Sequence, residues 1–194
     1  MERWFVTVSE TVSELVVLLA EDGTPVGTAD KATVHGPDTP YHLAFSCYAF
    51  DADGRLLVTR RARTKRTWPG VWTNSCCGHP GPDEMPGEAV RRRLEQELGM
   101  APEHLRLALP RFSYRAFDGR VWENELCPVF LCRVSGEPIL DPTEVEDVVA
   151  VPWEEFAERA TAPGSDVSPW AQLQVRELVD GGQITRFLAE TAPR

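Results

Sequence analysis

The chain has 194 residues, 42% of them hydrophobic and 26% charged, with a formal net charge of −10. That length and balance exclude wholesale disorder and suit one folded domain with a core of its own. The acidic surplus excludes general binding to nucleic acid or to an acidic membrane surface, and the best apolar stretch, Leu15 to Ala20, is far too short to span a bilayer.

In chain order, residues 13–20 (SELVVLLA) read as a strand, followed by a turn at Glu21 to Thr24 and a Pro/Gly/Asp-containing loop from Val34 to Tyr41. His42 to Phe50 and Leu56 to Thr59 flank Asp51-Ala52-Asp53-Gly54, which predicts a hairpin. Val71 to Gly78 predicts one short strand, and a Pro/Gly loop then leads into a helix over Gly87 to Leu98 that stops at Gly99. Phe112 to Arg115 and Glu123 to Arg133 predict two strands around Asp118-Gly119. Pro152 to Arg159 predicts a helix, and Ser168-Pro169-Trp170 reads as the N-cap and first turn of another that ends near Gly181. Strands and helices mix without a regular βαβ repeat, so the expected fold is α/β (α+β), a mixed sheet between helices in a single domain.

Five cysteines, two of them adjacent, make a poor disulfide framework. With no charged-then-apolar leader at the start of the sequence, a cytoplasmic setting is expected. Arg55 to Arg66 (RLLVTRRARTKR) carries six positive charges and no acid, which is either a solvated loop or an anion site. Lys31 and Lys65 are the only lysines beside eighteen arginines, a usage that would suit a compact ammonium placed on phosphate.

Two short motifs carry chemistry. In an extended chain residues i and i+2 share a face, so Cys77 pairs with His79 and Glu123 with Glu125. Two carboxylates on one face repel unless a cation or a shared proton relieves them. The apolar flanks of Glu123-Asn124-Glu125 place that pair beside a buried strand, where a merely solvated role is costly. His35, His42 and His79 sit in loop or strand-end contexts, whereas His104 looks incidental. The three imidazoles with Glu123 and Glu125 form an N/O donor set suited to Mn²⁺, Mg²⁺ or Zn²⁺.

From Gly78 to Met100 the chain follows the Nudix pattern in outline, through Glu84, Arg92, Leu94, Glu97 and Gly99. Nudix hydrolases use the glutamates of this loop and helix to hold Mg²⁺ on a diphosphate. Arg93 and Gln96 stand where two of those acids are expected, which should cripple metal-assisted hydrolysis.

The stretches Lys31 to His35 (KATVH), Tyr41 to Ser46 (YHLAFS), Trp68 to Ser75 (WPGVWTNS), Cys77 to Pro80 (CGHP), Tyr114 to Ala116 (YRA) and Glu123 to Glu125 (ENE) closely resemble the type I isopentenyl-diphosphate isomerases, a Nudix-superfamily group. The resemblance covers about residues 12–180, leaving residues 1–11 as a variable extension ahead of an isomerase domain at 12–194. It implies a Nudix-like fold and interconversion of isopentenyl and dimethylallyl diphosphate in isoprenoid biosynthesis. It also implies His35, His42, His79, Glu123 and Glu125 as metal ligands, Cys77 and Glu125 as the proton-transfer pair, and Tyr114 as support for the glutamate. Trp170 matches a wall of the hydrocarbon pocket. Lys31, Arg61, Lys65 and Arg93 match diphosphate contacts, and Glu97 matches a carboxylate that helps hold a second Mg²⁺.

The implied reaction protonates an unactivated alkene and removes a proton from the other side of the skeleton, which requires an acid and a base on opposite walls of a narrow pocket. Glu125 is expected as the donor and Cys77, as thiolate, as the base. Cys76 should point the opposite way from Cys77 and pack. A small isoprenoid diphosphate is the expected partner, with Mg²⁺ carried on it, no flavin, no nucleic acid, no membrane, and a monomer or weak dimer. The rivals are a Nudix pyrophosphohydrolase and a zinc-stabilised interaction module. The latter is disfavoured because Cys77-Gly78-His79 lacks paired Cys-x₂-Cys spacing.

Overall fold

Every residue of the segment Phe45–Phe50 is buried, and its alternation splits it between two cores. Phe45, Cys47 and Ala49 face one, while Tyr48 and Phe50 face the other. A strand apolar on both faces needs cover on both, and that need shapes the fold. In the computed structural model, which describes residues 14–192, helix α1 (Pro86–Leu98) covers the first face through Ala89, Val90, Leu94 and Leu98. Helices α2 (Trp153–Thr161), α3 (Pro169–Asp180) and α4 (Gln183–Glu190) cover the second through Phe156, Val175, Leu178 and Phe187. Strands between helical layers were expected; their division into two sheets was not.

The first sheet runs β2 (Pro25–Asp30), β1 (Leu15–Leu19), β3 (His42–Leu43), β10 (Trp122–Leu126) and β9 (Ser113–Phe117). The second runs β12 (Val145–Val151), β5 (Leu56–Arg61), β4 (Phe45–Phe50), β11 (Val129–Arg133) and β8 (Glu103–Leu109). Two stubs complete it, with β6 (Trp72–Thr73) on β5 and β7 (Cys76–Gly78) on β4. Both sheets are mixed, since β3–β10 and β4–β11 are parallel and the other strand pairs are antiparallel.

Three predicted elements are divided. The expected strand over Glu123 to Arg133 breaks at Cys127-Pro128, because proline offers no N–H to a central ladder. His42 to Phe50 breaks at Ala44, whose N–H donates to Leu126 O at 2.8 Å. The two parallel chains therefore step together from the first sheet into the second.

The strand expected over Val71 to Gly78 breaks at Asn74-Ser75, which drives a polar wedge into the predicted hairpin. Ser75 Oγ accepts from Ala49 N (2.8 Å) and donates to Leu57 O (2.5 Å), and Thr59 Oγ1 donates to Asn74 O (2.8 Å). The hairpin strands consequently keep a single register pair, Phe50 with Leu56.

Strands β2, β8 and β12 and helix α4 carry no clear sequence signal. The burial of β2 and β8 lacks a full alternation, and β12 is acidic. His104 lies exposed in β8. The extension at residues 1–11 lies outside the described residues. Helix α1 ends where expected, with Gly99 left-handed at φ 63° and its N–H on Glu95 O.

The wedge makes a prediction. Ser75→Ala leaves the buried Ala49 N–H without its hydroxyl partner, a cost of about 1–3 kcal/mol. Thermal unfolding should show Tm lowered by roughly 5 °C, and an unchanged Tm would mean that the wedge does not hold β4 and β5 apart.

Candidate active site

The step between the sheets is where the polar residues gather. Parallel pairing sets Glu125 opposite His42, and antiparallel pairing sets it opposite Tyr114. Alternation along β10 turns Glu123 and Glu125 to the buried face together. His79 follows directly on β7, and His35 arrives from the loop after β2. Among the described residues His35, His42, His79 and Glu125 form one group whose ligand atoms lie within 4.8 Å of one another.

The three imidazole Nε2 atoms converge on one oxygen. Glu125 Oε1 lies 3.1 Å from that of His79, 3.4 Å from that of His42 and 4.0 Å from that of His35. His35 Nε2 is buried without a hydrogen-bond partner, and His42 Nδ1 is held on Pro40 O at 2.8 Å, which leaves its Nε2 to face the cluster. One orphaned imidazole nitrogen beside a carboxylate, with the Nε2 atoms of His42 and His79 facing each other at 3.2 Å, fits a divalent cation better than a closed hydrogen-bond network does. Glu123 lies outside the four-residue group. Its Oε2 faces the Tyr114 hydroxyl at 2.9 Å, which also lies 2.8 Å from Glu125 Oε2.

The charges follow from burial and neighbours. Burial works to raise the Glu125 carboxyl, but His35, His42 and His79 override it and hold that carboxyl well below the usual range. Burial and then the charge of Glu125 push Glu123 up to about 6. Burial also lowers His79 to about 4 against the pull of Glu125, which keeps its imidazole neutral, as a metal ligand must be.

Antiparallel pairing of β7 with β4 sets Cys77 opposite Ser46 and Cys76 opposite Cys47. Cys76 packs into the core beneath α1, and Cys77 faces the other way. The Cys77 thiol donates to Asn74 Oδ1 at 3.2 Å and lies 3.5 Å from Ser46 Oγ. Burial pushes it up to about 11, so it holds its proton at neutral pH. The surroundings of the pair within the protein thus favour Cys77 as thiol and Glu125 as carboxylate.

A cavity of about 630 Å³ is lined by Cys77, His35, His79, Glu123, Glu125, Tyr114 and Trp170, and also by Lys31, Arg61, Lys65 and Arg93. Arg61 is held by the carbonyl of Thr67 (2.8 Å to Nη2) and lies 5.6 Å over the Trp170 ring. Lys31 contacts Glu14, and Lys65 contacts Glu144. Arg93 bridges Glu97 and Glu144, the latter at 3.1 Å. The carboxylate of Glu97 is thus engaged by Arg93 and, like Glu123, stands outside the metal-type group.

Sequence reasoning missed Glu144, which reaches Lys65 from 79 residues away. Nothing local distinguishes it from its acidic neighbours. It also gave no role to Asn74 or Ser46, although both fall within motif stretches.

Residues 40–171 match the NUDIX domain family. The chain is 53% identical to the isopentenyl-diphosphate Delta-isomerase of Saccharopolyspora erythraea over 170 residues, covering 87% of this chain and 88% of that one. It is 57% identical to the enzyme of that name from Frankia alni over 166 residues, 84% of this chain and 85% of that one. A crystal structure from Deinococcus radiodurans aligns with a TM-score of 0.66 at 20% identity, over 84% of this chain and 98% of that one. The MutT protein of Methanosarcina mazei aligns at 0.58 and 19% identity, over 74% of this chain and 96% of that one.

Glu144 gives a test of the cationic end. Burial works to raise its carboxyl, yet Arg93 and Lys65 hold it down at about 2. A folded-state pKa below the unfolded one contributes stability above pH 4.5 that is lost as pH falls toward 2. Glu144→Gln should therefore lower Tm at pH 7, with the gap to wild type narrowing between about pH 5 and 3. Inorganic pyrophosphate at pH 7 should restore much of the loss by engaging the freed cations. A gap independent of pH would show that the pairing does not stabilise the cradle.

Proposed function

Since the chain belongs to the isopentenyl-diphosphate Delta-isomerase family within the Nudix superfamily, we propose that Cys77 and Glu125 are the acid–base pair with which it interconverts isopentenyl and dimethylallyl diphosphate. The observation that carries this assignment is one cavity whose wall holds a thiol, an imidazole-ringed carboxylate and four cationic side chains.

One member of the pair gives a proton to the terminal alkene carbon, and the adjacent carbon becomes a tertiary carbocation. The other member takes a proton from the allylic carbon, which re-forms the double bond one position along. One proton enters and one leaves, so the pair ends each turnover with its proton exchanged, and the reverse direction uses the two groups in opposite roles. Tyr114 positions the Glu125 carboxylate through Oε2.

Trp170 is buried, with its ring toward the cavity, and a desolvated cation over such a ring gains about 2 kcal/mol, roughly thirty-fold in rate. That help is real but secondary to the proton transfers. Lys31, Arg61, Lys65 and Arg93 hold a diphosphate that does not react, so their work is orientation.

His35, His42, His79 and Glu125, with Glu123 beside them, would hold Mn²⁺, Mg²⁺ or Zn²⁺. Glu97 would assist an Mg²⁺ carried on the substrate. A divalent ion there would relieve the repulsion between the paired carboxylates and withdraw electron density from Glu125. No flavin enters this reading. Five unpaired cysteines support a reducing, cytoplasmic setting for the enzyme, which we take to be a monomer or weak dimer built from the domain at residues 12–194.

The hydrolytic alternative is disfavoured by helix α1. On its buried face Arg93 stands against Glu97, where the hydrolase pattern calls for clustered metal-binding acids.

Two outcomes test the assignment. Cys77→Ala and Glu125→Gln should each lower kcat by at least about 100-fold in a direct isomerisation assay, with circular dichroism unchanged. Near-normal turnover in either would remove that residue from the chemistry. Separately, deuterium should enter isopentenyl diphosphate from D₂O in the presence of the enzyme. A strong chelator should stop the exchange and readdition of Mg²⁺ or Mn²⁺ should restore it, whereas exchange that survives exhaustive chelation would contradict a working metal at the histidine cluster.

A further inference from the structure

Asn74 is fully buried at the bend between β6 and β7, and its side-chain amide is saturated. Nδ2 donates to Cys47 O at 3.0 Å and to Cys76 O at 2.9 Å. Oδ1 accepts from the Thr73 hydroxyl (2.8 Å), the Trp170 indole N–H (3.0 Å) and the Cys77 thiol (3.2 Å). Two pure acceptors on one side and an indole donor on the other leave the amide one orientation. The oxygen is thus a fixed point shared by the thiol and the aromatic wall.

The neighbouring hydroxyls extend this anchor. Thr73 has one hydroxyl proton and commits it to Asn74, so in the 2.7 Å contact between Thr73 Oγ1 and Ser168 Oγ the donor is Ser168. Ser168 is the N-cap residue of α3, as expected, yet its side chain makes no capping bond. A cap normally stabilises a helix by about 1 kcal/mol, and here the hydroxyl is turned to Thr73 instead. Its backbone N–H meanwhile bonds Trp72 O at 2.8 Å, so the start of α3, which carries Trp170, is fastened to the bend that carries Asn74.

We propose that Asn74 is a positioning residue of the reaction, whose Oδ1, backed by Thr73 and Ser168, sets the Cys77 thiol and the Trp170 ring at a fixed relation to each other. The inference rests on the reading of Cys77 as a proton-transfer group. A thiol swings about one side-chain torsion among three staggered positions, and Asn74 and Ser46 are the hydrogen-bond partners that select one of them. The ring that faces the developing cation is referenced to the same atom. Asn74 touches no cationic side chain directly and reaches one, Arg61, only through the Trp170 ring, so its loss should damage the chemical step far more than binding of the diphosphate.

The test measures kcat and KM for isopentenyl diphosphate and, by calorimetry, Kd for inorganic pyrophosphate, in Asn74→Leu, Thr73→Val and Cys77→Ala. Asn74→Leu removes the amide at similar volume and should lower kcat about 100-fold, as for an ångström-scale misplacement of a reacting group. KM and the pyrophosphate Kd should stay within about two-fold of wild type. Thr73→Val takes one of three donors from Oδ1 and should lower kcat about five-fold with the same unchanged Kd. If Asn74→Leu does not fold, Thr73→Val decides: the kcat loss at unchanged Kd sustains the proposal, and wild-type kcat overturns it. Parallel loss of kcat and pyrophosphate binding would also overturn it, in favour of a purely structural role. Cys77→Ala separates the two levels. An active Cys77→Ala removes the reading of the thiol, whereas an inactive Cys77→Ala beside a fully active Asn74→Leu removes only the inference about Asn74.

Discussion

A carboxylate almost wholly buried in the wall of the cavity is the constraint around which this molecule is arranged. Glu125 is 5% exposed, and an ionised carboxyl in such a position is untenable without compensation. Three imidazoles and one phenol surround it, and they come from the loop after β2 (His35), from β3 (His42), from the end of β7 (His79) and from β9 (Tyr114). Four separate parts of the chain must be in place before β10 can be buried with that side chain inward. The cost of burying charge is thereby tied to completion of both sheets, which makes the site a product of the whole fold rather than of one loop.

The architecture that permits this is the joint step of two parallel chains. As β3 passes into β4, β10 passes into β11, so His42 and Glu125 stay in register on one side of the step while Ser46 and Val129 pair on the other. Ser46 faces Cys77 across the β4–β7 ladder. The metal-type cluster is therefore shared between the two sheets, with His42 and Glu125 from the first and His79 from the end of β7 in the second, beside the thiol. A continuous sheet would have spread the same residues along a flat face. Proline at 128 and the paired break at Ala44 turn two ordinary strands into the junction.

Much of the site is legible from period alone, since Cys77 with His79 and Glu123 with Glu125 share faces in any extended chain. The opposition of Cys76 to Cys77 follows from the same rule. What period does not reveal is where a strand is interrupted for a purpose. Val71 to Gly78 reads as one strand because its composition is strand-like, yet the structure spends Asn74 and Ser75 on side-chain bonds to neighbouring backbone instead of on a ladder. Glu144 was illegible for a different reason. Its meaning lies wholly in Lys65 and Arg93, which reach it only after β12 has paired with β5 and α1 has packed beneath. Ser168 stands at the expected N-cap, and what the sequence does not show is that a tertiary partner, Thr73, claims its hydroxyl.

The division of charge within the cavity explains how a scaffold shared with diphosphate hydrolases can leave a diphosphate intact. Hydrolysis needs metal-bound acids close to the bridging phosphate, and on α1 those positions hold Arg93, already engaged by Glu97 and Glu144. On the proposed reading the helix offers the diphosphate a guanidinium, which can bind and orient but cannot activate water. The donor set suited to a divalent ion is displaced onto β3, β7 and β10, next to Cys77 and Trp170. On the proposed reading, the chemistry is thus moved from helix α1 to the donor set on β3, β7 and β10. On the same reading a proton passes to carbon beside the closed hydrogen-bond system around Asn74, and carbon is an acceptor that offers no hydrogen bond to guide the approach. On the proposed reading the substrate cannot orient the group that exchanges a proton with carbon, so the protein has to do so, and a thiol with hydrogen-bond partners at Asn74 and Ser46 meets that requirement.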